Sequence, residues 1–348
     1  MHIYIPSIDL KNTNRKSLFI LTRPFYSEQA WVNAEAEKQR WGIDDSYVYT
    51  DNIAISNVYF IPKPINSYSK SELHEINGLC KSNKIKAFGY ISGDFGTDFG
   101  TYSEIVFMRM GGFKSQLSKN NKGYPVLLSD HFERIYKQTQ IDSRPKTNLP
   151  VVGFCGHASL GTSKKWKEKV KFMRENAKRF LKNPLRNDFE PLFSSAYVRA
   201  ILLNTLEQSK KIKTNFIYRV HYRGGAVNQE TREKTTLEYY DNIKNSDYVL
   251  CVRGAGNFSV RLYETLMMGR IPVFVNTDCL LPFESEIDWN KHVVWVEWDD
   301  RKNIANRIVA FHKQLSNDEF VALQLANRTL WKETLSVKGM LEMIANDL

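Results

Sequence analysis

Eight short apolar runs, each five to seven residues long and rich in β-branched and aromatic side chains, recur along this 348-residue chain: SLFIL (17–21), VYFIP (58–62), AFGYIS (87–92), PVVGFCG (150–156), FIYRVHY (216–222), DYVLCV (247–252), IPVFV (271–275) and HVVWVEW (292–298). Most are nearly continuously apolar and do not alternate with polar residues, as expected of strands covered on both faces. Helical patterns lie between several of them. Strands alternating with helices imply a mostly parallel sheet with helices on its faces. A single core usually stops growing at roughly 250–300 residues, so the length predicts two such blocks. The polar stretch QTQIDSRPKTNLP (138–150) is the expected linker, with the domains divided into 1–149 and 150–330. From Asp318 onward the pattern is mostly helical, and the last segment, about 331–348, is expected to pack back on the first domain.

The stretch TSKKWKEKVKFMRENAKRFLKNP (162–184) repeats Trp166, Val170, Met173, Ala177 and Phe180 at fours and threes. This spacing predicts a helix with those five residues on its core face and a Lys/Arg-rich back. The whole chain carries 49 Lys+Arg against 38 Asp+Glu, a net charge of +11, which points to anionic partners without choosing among them. Cys80, Cys155, Cys251 and Cys279 are far apart and form no CxxC or Cys/His metal spacing, so they read as small buried residues in a reducing compartment. The N-terminal segment MHIYIPSIDLKNTNRKS lacks a signal-peptide pattern. No run reaches the roughly 18–20 apolar residues of a membrane span. The expected location is cytoplasmic, with peripheral contact at an anionic membrane open to it.

The most informative stretch is SDYVLCVRGAGNFSVRLYETLMMGRIPVFV (246–275), which reads as strand, loop, helix, strand. In an open α/β sheet, ligands bind beyond the carboxyl ends of the strands. The loop there offers backbone N–H groups and the positive end of the following helix to an anion. Gly254 and Gly256 allow close backbone approach, and Arg253 and Arg261 add fixed charge suited to phosphates. Glu264 follows Arg261 by three positions on the same helical face, where a carboxylate can accept hydrogen bonds from a pair of adjacent hydroxyls. An anion clamp beside a diol acceptor describes a nucleoside-diphosphate site; a surface ion pair after an ordinary tight turn describes the same residues. The chain has no GK[ST], GxGxxG or DxD motif.

The segment 246–294, with its RG, its FSVRLYETLMMGRIPV, its LPF and a Trp a few residues on, resembles the exostosin-type glycosyltransferases. PVVGFCGHASL resembles the Gly-containing strand that opens that family's nucleotide-binding half, and GYISGDFGTD a loop of its acceptor half. The resemblance implies a GT-B fold, two Rossmann-like α/β domains facing a cleft. It also implies inverting, metal-independent transfer from a nucleotide sugar, with a UDP sugar favoured. Carried over, it assigns the ribose to Glu264, the diphosphate to Arg253 and Arg261, and the donor lining to the backbone near Gly254, Asn257 and Ser259. Animal exostosins carry a membrane anchor and a second, DxD-containing domain, so heparan-type polymerisation is not inherited from the resemblance.

Further candidates are weaker. Asp94 and Asp98 in ISGDFGTDFGT could serve as general base for an inverting transfer, or simply form turns. Asp94 stands slightly ahead because it is nearer the strand end. Gly156 and His157 lie just beyond a strand end, where His157 could contact phosphate or act as base. Arg219, His221 and Arg223 share one face if FIYRVHYRGG continues as a strand, and then suit a phosphate-bearing ligand. Asp130 and His131 read as a helix start, with a structural role. The partners expected are a nucleotide sugar and a glycan or lipid-linked glycan acceptor, with no cofactor and no metal. The alternatives are a nucleotide-binding family member without transfer activity, or a nucleic-acid-binding protein using the Lys-rich helix with Trp166 and Phe172. No nucleic-acid motif accompanies the latter, and Trp166 is expected in the core.

Overall fold

The computed structural model describes residues 1–8, 17–30, 34–185, 188–220 and 222–346. Two parallel sheets organise them. Strands β1 (His2–Tyr4), β2 (Val48–Thr50), β3 (Val58–Phe60), β4 (Lys86–Tyr90), β5 (Ile105–Arg109) and β6 (Asn121–Gly123) pair in the order β2-β1-β3-β4-β5-β6. Strands β7 (Val151–Gly156), β8 (Lys213–Tyr218), β9 (Tyr248–Cys251), β10 (Ile271–Asn276) and β11 (Val294–Glu297) pair in the order β11-β10-β9-β7-β8. Every pairing is parallel. In each sheet the first strand lies between the second and the third, so the connections reverse direction there. In the second sheet that switch point lies between β7 and β9, and its crevice is where a ligand is expected.

Helices α1 (Arg23–Ala30), α2 (Ala34–Trp41) and α3 (Lys70–Asn83) belong to the first sheet, and α4 (His131–Tyr136) follows it. Helices α5 (Thr162–Lys182), α6 (Ser195–Glu207), α7 (Gln229–Lys244), α8 (Val260–Met267) and α9 (Ile304–Gln314) flank the second sheet; α10 (Asn317–Leu330) and α11 (Val337–Asn346) end the chain. Both sheets are covered on both faces, which is why their strands read as apolar runs. Val58 and Phe60 pack into one core of the first domain, and Tyr59 and Ile61 into the other. Val249 and Cys251 face one core of the second domain, Tyr248 and Leu250 the other.

The chain crosses between the domains twice. Phe132 of α4 and Ile141 pack with Tyr240, Ile243 and Val249 in the second domain. After α10, the chain returns so that Val337, Met340, Leu341 and Ile344 pack with Ile3, Ile5 and Phe60 in the first. Burying such side chains contributes roughly 1.5–3 kcal/mol each. A helix as short as α11 would be marginal alone, so this contact is what holds it.

Several expectations need correcting. SLFIL is not a strand: it leads into a 3-10 turn at Ile20–Thr22, with Leu18, Phe19 and Leu21 buried, and Pro24 then opens α1. FIYRVHY does not continue as a strand, because β8 stops at Tyr218 and a 3-10 turn occupies Tyr222–Gly225. The predicted core stripe of α5 faces outward, with Trp166 59% exposed, Met173 49% and Phe180 52%. The helix instead buries the side carrying Phe172 and Arg179. The groups facing α5 are largely polar and select that side. Ser194 Oγ donates to Glu168 at 2.7 Å, Asn176 exchanges two hydrogen bonds with the Glu190 backbone, and Arg179 donates to the Asp188 carbonyl. Among the described residues no helix is long and apolar enough to cross a membrane. All four cysteines are buried and free.

Candidate active site

The crevice at the carboxyl ends of β7 and β9 gathers a small set of polar groups. After β9 the chain turns back on itself, Gly254 N donating to the Phe258 carbonyl at 3.1 Å, and enters α8. Ser259 occupies the N-cap position without capping the helix through its side chain. Leu262 N is taken by the Ser259 carbonyl at 3.2 Å, which leaves the N–H groups of Val260 and Arg261 to meet an anion. Within this first turn, Arg261 lies with its guanidinium 4.4 Å from the centre of the Phe154 ring and donates through Nη2 to the Cys155 carbonyl at 2.9 Å. A Cβ at Gly156 would come within 2.9 Å of that Nη2, so glycine at the end of β7 makes the space the arginine uses.

Glu264 stands beside it, with Oε2 accepting from Tyr239 Oη at 2.5 Å and Oε1 from Tyr240 Oη at 3.2 Å. Burial raises the Glu264 pKa, while the two tyrosine hydroxyls and Arg261 pull it back. Each carboxylate oxygen keeps a second lone pair, and both Glu264 and Arg261 are only partly buried. The carboxylate can therefore still accept from a ligand's hydroxyls.

Arg199 of α6 was not among the sequence candidates. Its Nη2 donates to the Arg253 carbonyl at 3.2 Å, just past the end of β9. Burial and the neighbouring Arg261 charge push its pKa down to about 10, which leaves it charged at neutral pH. Neither Arg199 nor Arg261 has a carboxylate within 4 Å among the described residues. Glu264 beside Arg261 and Glu168 toward Arg199 counter part of this charge, and an anion in the crevice would counter more of it. A lone Arg within the apolar helix AYVRAILL was the available signal.

Other expected donor residues do not open on the crevice. Arg253 is 2% exposed, lying 5.1 Å from the Phe113 ring of the first domain and 4.6 Å from Phe193 of the second, with Nη2 donating to the Ala255 carbonyl. Asn257 is equally buried; its Nδ2 donates to the carbonyls of Gly112, Thr277 and Asp278, and its Oδ1 accepts from Thr277 Oγ1. These two residues join the domains. Arg219 Nη2 is taken by the Thr235 carbonyl and Glu238, both at 2.6 Å. His221 lies outside the described residues, as does the side chain of Arg223, and the strand that would have aligned them with Arg219 ends before them.

Three candidates for a general base separate on geometry. His157 Nδ1 lies 2.8 Å from the Arg219 carbonyl. A carbonyl only accepts, so Nδ1 carries the proton and a neutral ring keeps its lone pair on Nε2, which has no partner. The Asp94 carboxylate makes no hydrogen bond or ion pair among the described residues. Its backbone abuts the donor loop, since a Cβ at Gly256 would sit 2.7 Å from the Asp94 carbonyl oxygen. Asp98 instead accepts from Gly100 N at 3.2 Å, an ordinary turn interaction. The loop bearing both is fastened to the second domain: Gly96 N donates to Glu190 at 2.5 Å, and Phe95 meets Phe172 edge-on at 5.9 Å. Asp130 caps α4 by accepting from Glu133 N, a structural role. A separate cavity of about 340 Å³ lies among β5, β6, residues 280–286 and α11, away from this chemistry.

The chain is thus a two-domain α/β protein, with two arginines, a glutamate and a helix start gathered at the carboxyl end of one parallel sheet. The chain matches the Exostosin GT47 domain over residues 189–310. It is 28% identical to Exostosin-1 of Drosophila melanogaster over 104 residues, covering 30% of this chain and 13% of that one. It is 39% identical over 62 residues to a probable glucuronosyltransferase of Oryza sativa subsp. japonica, covering 18% and 15%. The match thus spans only a small part of each relative's length. The solved structure of TarM superposes at a TM-score of 0.32 and 14% identity, covering 83% of this chain and 53% of that one. The architecture accordingly rests on the two sheets themselves.

Proposed function

We propose that the chain transfers a sugar from a nucleoside-diphosphate sugar to a hydroxyl of a glycan or lipid-linked glycan, with inversion and without a metal. The observation that carries this reading is the meeting of Arg199, Arg261, the uncapped start of α8 and Glu264 at the β7–β9 switch point. The acceptor oxygen attacks the anomeric carbon as the bond to the diphosphate oxygen breaks. The nucleoside diphosphate leaves with that electron pair, and the acceptor's proton passes to a base. Arg261, Arg199 and the α8 N–H groups meet the charge growing on the leaving group, and Glu264 accepts from the ribose hydroxyls. Asp94 or His157 takes the proton. A UDP sugar is the favoured donor, with GDP the alternative.

Calorimetric titration with UDP, GDP and CMP, with Glu264→Ala as control, tests the donor site. Saturable binding of one nucleotide, weakened in the variant, supports it; no binding of any of them removes it. A titration with a single-stranded oligonucleotide in parallel tests the nucleic-acid alternative, which the exposed Trp166 on a Lys-rich helix now favours more than the sequence did. Asp94→Asn and His157→Gln distinguish the two bases. The true base loses turnover on neutralisation while nucleotide binding persists.

A further inference from the structure

We infer that the outward side of α5 is a docking surface for an anionic lipid bilayer. At 3.6 residues per turn, the 21 residues of this helix divide into three arcs. One carries Glu168, Phe172, Asn176 and Arg179 and is docked on the protein. A second, about 100° wide, carries Trp166, Val170, Met173, Ala177, Phe180 and Leu181. All six are exposed, Leu181 at 82% and Trp166 at 59%. Just past the helix end, Leu185 is 94% exposed. The third arc carries Lys164, Lys167, Lys171, Arg174, Lys178 and Lys182. Of the helix's nine Lys and Arg side chains, Arg179 is the one in an ion pair among the described residues, against two glutamates in the whole helix.

Charge and apolarity together select the occupant. A soluble polyanion would use the lysines and leave the apolar arc in water. A neutral apolar partner would use that arc and leave the lysines unanswered. An anionic bilayer serves both, with headgroups for the cations and the acyl boundary for Trp166, Met173, Phe180 and Leu181. A nucleic acid would gain stacking from Trp166 and Phe180 but little from Val170, Met173 and Leu181. Because α5 starts five residues after His157, docking would bring the mouth of the β7–β9 crevice to the lipid surface. The inference goes beyond the proposed transfer and does not depend on it.

The test is co-sedimentation of the full chain with phosphatidylcholine vesicles, with and without phosphatidylglycerol, in the absence of any donor. Expected are binding to the anionic vesicles only and about tenfold weaker binding on moving from low to high salt. Trp166 fluorescence should be quenched by brominated lipid, read as the difference from Trp166→Phe. The Met173→Glu/Phe180→Glu double variant and the Lys167→Glu/Lys171→Glu/Lys178→Glu triple variant should each weaken binding at least about tenfold. Their circular dichroism and melting temperature should hold, since these side chains are exposed. Failure to bind anionic vesicles overturns the inference. So does undiminished binding by the Met173/Phe180 variant, or a single-stranded oligonucleotide that binds more tightly and displaces the vesicles. None of these outcomes touches the nucleotide titration, so the two readings fail separately.

Discussion

Arg253 and Arg261 stand eight residues apart, on either side of one loop, yet they serve opposite ends. Arg261 rests on Phe154 with a partly open guanidinium beside Glu264 and near Arg199, and no carboxylate pairs with it within 4 Å among the described residues. Arg253 is buried between phenyl rings of two domains, close enough to Glu190 for that carboxylate to counter part of the cost of its burial. Asn257 and Glu264 repeat the contrast, one satisfied five times over within the protein, the other retaining lone pairs toward the crevice. The polar groups at the domain junction are spent on neighbouring carbonyls and rings; those at the switch point are only partly buried and keep hydrogen-bonding capacity. Residue type does not distinguish them, whereas the direction of the side chain from the loop does.

The contrast can be broken by substitution. The largest effect is expected for Arg261→Ala, which should lower kcat/KM for transfer by at least about 100-fold, on the order of 3 kcal/mol of transition-state stabilisation. An unaltered rate would place the diphosphate elsewhere. Arg253→Ala should do the reverse, lowering stability to urea by about 3 kcal/mol through the lost ring contacts and the unbalanced Glu190. Nucleotide affinity at permissive temperature should change less than about threefold, a small fraction of the effect at a true binding group. If affinity collapses instead, the junction and the crevice are one site. Glu264→Ala should weaken nucleotide binding by about 10- to 30-fold, as expected for loss of hydrogen bonds to a charged acceptor. Glu264→Gln, which keeps one acceptor oxygen, should fall between that variant and the native chain.

The smallest effect concerns pH. His131 lies 5.2 Å from the ring of Tyr240, which in turn donates to Glu264. Burial, then the Arg134 charge, lowers its pKa to about 4 from an ordinary 6.5. The unfolded chain therefore takes up this proton first as pH falls. His131 should cost stability progressively as pH drops from about 6.5 to about 4, and no further below that. His131→Asn should flatten this part of the stability–pH curve in urea titrations. An unchanged slope would show that other groups govern the acid limb.

The sequence made the second sheet readable because β7, β9 and β10 are buried on both faces and so carry continuous apolar runs. Strands β1, β2 and β6 were missed for a physical reason: each has three residues, and Asn121–Gly123 pairs through its backbone with no apolar signal at all. The strand-loop-helix stretch around Arg261 was also legible, because glycine, arginine and glutamate at that spacing express a local geometry. Arg199 was not, since it reaches β9 from a helix some fifty residues earlier and only the packing of α6 brings it there. The α5 stripe shows the same limit. A period of 3.6 proves that a helix has an apolar side, but whether anything covers it is decided by residues elsewhere in the chain.

The return of the chain into α11 has a mechanical consequence. The chain links the domains once through α4 and again through the segment before α11, and non-covalent contacts at Gly96, Arg253 and Asn257 fasten them between those crossings. The two covalent crossings act like the pins of a gate and the contacts between them like its latch. A swing about the pins would have to break the Gly96–Glu190 and Asn257–Gly112 hydrogen bonds first.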